Sequence, residues 1–133
     1  MKDEGERMNG MSNEQPQDLR TRTSDFALQI IRLYVSLPKT TEAQVIGKQF
    51  LRSGTSIGAH YSEGYRAKSD ADIVNKFETA LQELDETDYW LDLLIKANIV
   101  SAQKVEPLIK ETNELIAIFV TIVKKVKTRL KKR

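Results

Sequence analysis

The sequence contains no cysteine, which excludes disulfides, thiolate nucleophiles and Cys-ligated zinc or iron–sulfur centres. It has one histidine, His60, too few for a His-rich metal site or for the paired Glu-x-x-His motifs of a di-iron bundle. No metal or other cofactor is expected. With 3 Pro and 6 Gly in 133 residues, collagen-like and low-complexity classes drop out. No stretch approaches the 18 or so consecutive apolar residues of a membrane span, and the opening residues are charged where a signal peptide needs an apolar core. The expectation is a cytoplasmic protein with no membrane partner. What is present is 40% hydrophobic and 30% charged residues, the composition of a folded and mostly helical domain with room for one core.

Residues 1–17 have Met as their only apolar type. Such a stretch cannot offset the entropy of ordering it, so a disordered leader is expected. Helical spacing begins at Asp18, with Leu19, Phe26, Ile30, Leu33, Tyr34 and Leu37 forming a stripe that stops at Pro38. Thr41 is the expected cap of a second helix reaching about Ala67, with Ile46, Phe50, Ile57 and Tyr61 at spacings of 4, 7 and 4. Ser69 and Asp72 form an acidic capping box for a third helix, ending near Asn98. Ser101 is the expected start of a fourth, with Pro107 in its first turns and apolar residues at heptad-like intervals to Leu130. Period-two alternation is absent, and short links make sequential helices antiparallel. The expected fold is an all-α, antiparallel up-down four-helix bundle over residues 18–133.

Three features exceed what a small bundle needs. Leu115 to Val123 reads LIAIFVTIV, apolar almost all round, and Tyr89, Trp90 and Leu93 lie off the core-facing stripe of helix three. Trp90, Leu93, Ile118 and Val120 are therefore candidate contacts in a homo-oligomer. Gly47, Gly54 and Gly58 share one face of helix two, where they would let a neighbouring helix or a ligand phosphate approach closely. A phosphate-binding loop needs a preceding strand and a Gly-Lys-Ser/Thr ending, and neither is present. Charge is segregated although the formal net is +2: Asp70 to Asp92 holds 8 acidic residues and one Lys, and Lys124 to Arg133 holds 7 basic residues and no acid. Catalytic constellations are poor. His60, Glu63 and Arg52 allow an acid–base pair on helix two, but no nucleophile accompanies them. The acidic pairs on helix three read as a solvated face rather than a cation site.

The stretch FLRSGTSIGAHYSEGYRAKS from Phe50, followed by KFETALQELDETDYWLDLL, resembles the bacterial four-helix-bundle family of 23S rRNA intervening-sequence proteins. The family pattern is a Leu-Arg-Ser segment, Ser-Ile-x-Ala-Asn, a nearby Glu, then Ala-x-x-Glu-x-x-Glu-Thr-x-Tyr-Trp-Leu. Arg52, Ser53, Ser56, Ile57, Glu63, Glu86, Thr87, Tyr89, Trp90 and Leu91 occur in that order, and His60 stands at the Asn. The resemblance covers Phe26 to about Arg129. It implies a homopentameric bundle without enzymatic activity, related to the accessory protein of diversity-generating retroelements, which binds nucleic acid and a reverse transcriptase.

The function expected from residues and resemblance together is that of a non-enzymatic, oligomeric nucleic-acid-binding accessory protein. RNA or DNA phosphates would be held electrostatically by Arg52, Arg66 and Lys68 on helix two and by Lys124, Lys125, Lys127, Arg129, Lys131, Lys132 and Arg133. The alternative is a protein-interaction scaffold whose acidic helix-three face engages a basic protein partner.

Overall fold

The computed structural model describes residues 16–132. Four helices account for nearly all of them: α1 (Pro16–Ser36), α2 (Thr41–Tyr65), α3 (Asp70–Lys96) and α4 (Glu106–Lys131). The expected leader therefore lies outside the described residues, except that Pro16 and Gln17 belong to α1. Proline is well suited to a first helical position, where its missing N–H would have no partner anyway.

Two helix starts differ from the sequence reading. The cap of α2 is Thr40, one residue earlier than expected, and its hydroxyl accepts from the Ala43 N–H at 3.4 Å. The fourth helix starts at Glu106 rather than Ser101. Ser101 does cap a turn, its hydroxyl accepting from the Lys104 N–H at 3.2 Å, but Pro107 cannot donate the bond to Gln103 that a continuous helix would require. The Ser69 cap of α3 is as expected, accepting from Asp72 N–H. At its far end Asn98 takes the left-handed conformation (φ 58°), and the Ile99 N–H turns back to the Leu94 carbonyl at 2.9 Å.

In cross-section the helices lie in chain order around one core, α2 packing extensively on α1 and α3, and α4 on α3. The fourth side is sparse: α1 and α4 touch at few points, and an ion pair of Arg22 with Glu111 at 2.6 Å bridges them. Fully buried Phe26, Phe50, Phe77, Phe119, Ile30, Ile57 and Leu84 fill the centre. Tyr61, Phe77 and Phe119 form an aromatic cluster, with centroids 5.6 to 5.9 Å apart, a geometry that adds about 1 kcal/mol per pair beyond area burial. Burial pushes the Tyr61 hydroxyl well above the ordinary tyrosine range.

The glycine face of α2 is a helix-packing face. Ile30 of α1 lies where a side chain on Gly54 would be, and Thr23 sits beside Gly58. On the opposite flank of α2, buried Ser53 and Thr87 join their hydroxyls at 2.9 Å across α2 and α3. Thr87→Val removes one partner of a buried pair and is expected to destabilise the fold by about 1 to 2 kcal/mol. A double-mutant cycle with Ser53→Ala, read by urea unfolding, should return a coupling of about 1 kcal/mol.

Candidate nucleic-acid interface

Antiparallel packing sends the C-terminus of α4 to the same end of the bundle as the α2–α3 connection and the N-terminus of α1. The contact that fixes this is Arg129 with Asp70, the first residue of α3: Nε and Nη2 donate to the two carboxylate oxygens at 2.9 and 2.8 Å. Arg66 and Lys68 lie four and two residues before Asp70, so they share this pole with Lys131 and Lys132, and all four are exposed. Exposed Arg20, in the first turns of α1, joins them. Arg20 escaped the sequence reading because isolated basic residues on an amphipathic helix carry no signal until topology gathers them.

The other proposed cations divide. Lys124 and Lys125 are exposed on α4, one to two turns before the pole. Lys127 is held by Glu78 at 2.6 Å, and Arg129 is spent on Asp70, whose side chain is fully buried. Both serve the α3–α4 contact. Arg52 is not at the pole. It lies fourteen residues before Arg66 on α2, roughly 21 Å away at 1.5 Å per residue, and faces Glu86 at 3.7 Å. Arg133 lies outside the described residues.

The candidate oligomer contacts are less exposed than their hydrophobicity suggests. Trp90, Leu93, Ile118 and Val120 are all half-buried, with Trp90 and Ile118 packed on the core. Helix α4 packs its apolar perimeter chiefly on α3 and the shared core, and within LIAIFVTIV only Ala117 and Thr121 are exposed. The large exposed apolar side chains are instead Leu28, Ile31 and Val35 on α1, Val45 on α2 and Tyr89 on α3. The α1 stripe was missed because its core-facing residues already satisfied the helical pattern.

The acid–base pair on α2 is not assembled. Glu63 Oε1 is bound by Lys76 Nζ at 2.8 Å, and this hydrogen bond and charge hold its carboxyl below the usual range. His60 Nδ1 is buried without a hydrogen-bond partner. Among the described residues no group of three or more His, Asp or Glu could hold a metal ion, and no helix is long and apolar enough to cross a membrane.

Comparison with known proteins agrees with this architecture. The family model of the 23S rRNA-intervening sequence protein matches residues 17–121. A crystal structure of a protein of unknown function from the S23 ribosomal protein family of Bacteroides thetaiotaomicron is 37% identical, with a TM-score of 0.76 over 82% of this chain and 97% of that one. No curated protein matches. The Arg-Ser and Glu-Thr positions of the sequence motif meet across α2 and α3, Arg52 with Glu86 and Ser53 with Thr87, and the chain belongs to the 23S rRNA-intervening sequence protein family.

Proposed function

We propose that this chain is a non-enzymatic, homo-oligomeric accessory protein that holds nucleic acid electrostatically at its basic pole. The observation that carries the reading is the convergence of Arg20, Arg66, Lys68, Lys131 and Lys132, from three separate segments, on one end of the bundle. Such an end offers charge and no base-reading element, so affinity comes from phosphates and carries little sequence preference. A homo-oligomer, a pentamer by the family resemblance, repeats the pole and lets weak contacts add.

The internal pairing of Lys127 and Arg129 narrows the working set on α4 to Lys124, Lys125, Lys131 and Lys132. If these four neutralise duplex phosphates in one protomer, log affinity falls against log salt with a slope of about −3.6. Changing all four to Gln should flatten that slope and abolish most binding. Lys127→Gln alone should leave the slope nearly unchanged. Fluorescence anisotropy with mixed-sequence RNA and DNA, titrated with salt, reads both. Absence of binding by the wild-type oligomer at low salt would sink the proposal in favour of the protein scaffold, which the exposed acidic stripe Asp85, Asp88 and Asp92 would then serve.

A further inference from the structure

Where α1 and α4 fail to close on each other, the core comes to the surface. The last two turns of α1, the first turn of α4 and the link before it bound an open groove of about 360 Å³, at the lower end of the range that small-molecule sites occupy. Its floor is Leu33, Val105 and Leu108, core residues that keep 8%, 4% and 5% of their surface accessible while Phe26, Ile30 and Phe50 keep none. The groove follows from Pro107. Because α4 starts only at Glu106, residues 102–105 are turn rather than helix, and no helical face stands there to pack against the end of α1.

Two cations stand on the rim. Arg32 and Lys104 both line the groove, both are exposed, and among the described residues neither has an ion-pair partner. This sets them apart from Lys127 and Arg129, which are spent on Glu78 and Asp70. Glu106, the acid nearest to Lys104 in sequence, is exposed and does not line the groove. The C-terminus of α1 and the N-terminus of α4 end side by side, so their dipoles oppose and largely cancel. The two side chains are left to set the local sign.

An apolar floor under two unpaired cations fits a molecule with an aliphatic body and one anionic end. From Gln29 to Ser36 the groove runs about 10 Å along α1, the length of an eight-carbon chain. We propose that it binds a short-chain aliphatic carboxylate, the chain laid along Leu33, Val105 and Leu108 and the carboxylate held by Arg32 and Lys104. The fork of Arg32 suits a carboxylate in two-point contact. This site lies at the opposite end of the bundle from the basic pole, and it does not rest on nucleic-acid binding.

Octanoate, titrated into the full chain, is the probe. Methyl NMR signals of Leu33, Val105 and Leu108 should shift and saturate, with a dissociation constant of about 1 mM, the scale for a ligand this small. Affinity should rise about twofold per methylene from butanoate to octanoate, because an open groove covers only part of each group. Arg32→Gln combined with Lys104→Gln should weaken octanoate about tenfold and leave the weaker binding of octanol unchanged. Gln29→Trp, at an exposed lining position, should fill the groove and block octanoate, with wild-type helicity by circular dichroism. Shifts that grow without saturating, or that fall on residues elsewhere, overturn the site. Octanol binding as tightly as octanoate, or a double variant that binds like the wild type, overturns the carboxylate assignment. If an acetylated leucine tripeptide with a free carboxylate binds more tightly than octanoate, the groove is a peptide site and the small-molecule assignment fails.

Discussion

Arg129→Met is expected to lower the stability of the fold by about 3 kcal/mol, the low end of the range for stranding one member of a buried ion pair. The side chain of Asp70 is fully buried and that of Arg129 is 32% exposed, so the loss falls mainly on a carboxylate without access to water. The pair is forked, with two nitrogens on two oxygens, a geometry that lysine cannot reproduce. Arg129→Lys should therefore recover only part of the loss. Asp70→Asn combined with Arg129→Met should be less damaging than the sum of the two, since neither charge is then left alone. Lys127→Met supplies the contrast: its bond to Glu78 is equally short but both side chains are about half exposed, and its removal should cost under 1 kcal/mol. Urea midpoints across the set read the difference. Equal losses for Arg129→Met and Lys127→Met would remove the distinction between a structural cation and a surface one.

Gly54→Leu should destabilise by about 3 kcal/mol, although leucine is the better helix former by most of a kcal/mol. A Cβ at this position would stand 2.7 to 2.9 Å from three side-chain carbons of Ile30. Ile30 is fully buried and β-branched, so it has little rotamer freedom with which to retreat. Gly64→Ala should also be destabilising, because the Cβ would meet the Phe77 ring at 2.5 Å, and that ring is held between Tyr61 and Phe119. Gly58→Ala differs: its contact is Thr23 at 3.0 to 3.3 Å, at the half-open α1–α2 groove, and the helix-propensity gain there nearly offsets the crowding. Thermal melts of the three variants should rank 54 below 64 below 58. A rise in melting temperature for Gly54→Leu would mean that α1 can move away from α2.

Much of this arrangement was legible in the residues. The four helices, the Ser69 cap and the packing role of the glycine face follow from local spacing and capping chemistry, which a linear sequence carries in full. The start of α4 did not follow, because Ser101 offers a valid cap and only the missing donor of Pro107 decides where the helix begins. The basic pole was half legible. Lys131 and Lys132 stand out as a run, but their grouping with Arg20, Arg66 and Lys68, and the diversion of Arg129 to Asp70, depend on which helix ends meet. Charge in a sequence does not say which cations are already spent inside the fold. The apolar stripe on α1 was hidden for a related reason: a helix with aliphatic residues on both faces reads the same whichever face the core takes.

The thin contact between α1 and α4 has a bearing on motion. A helix held along one long seam with α2, and elsewhere bridged by the Arg22 ion pair, needs less free energy to open than α2 and α3, which are packed along their full lengths. The native ensemble should therefore contain a sub-globally opened form in which α1 swings out as a unit while the three remaining helices keep their core.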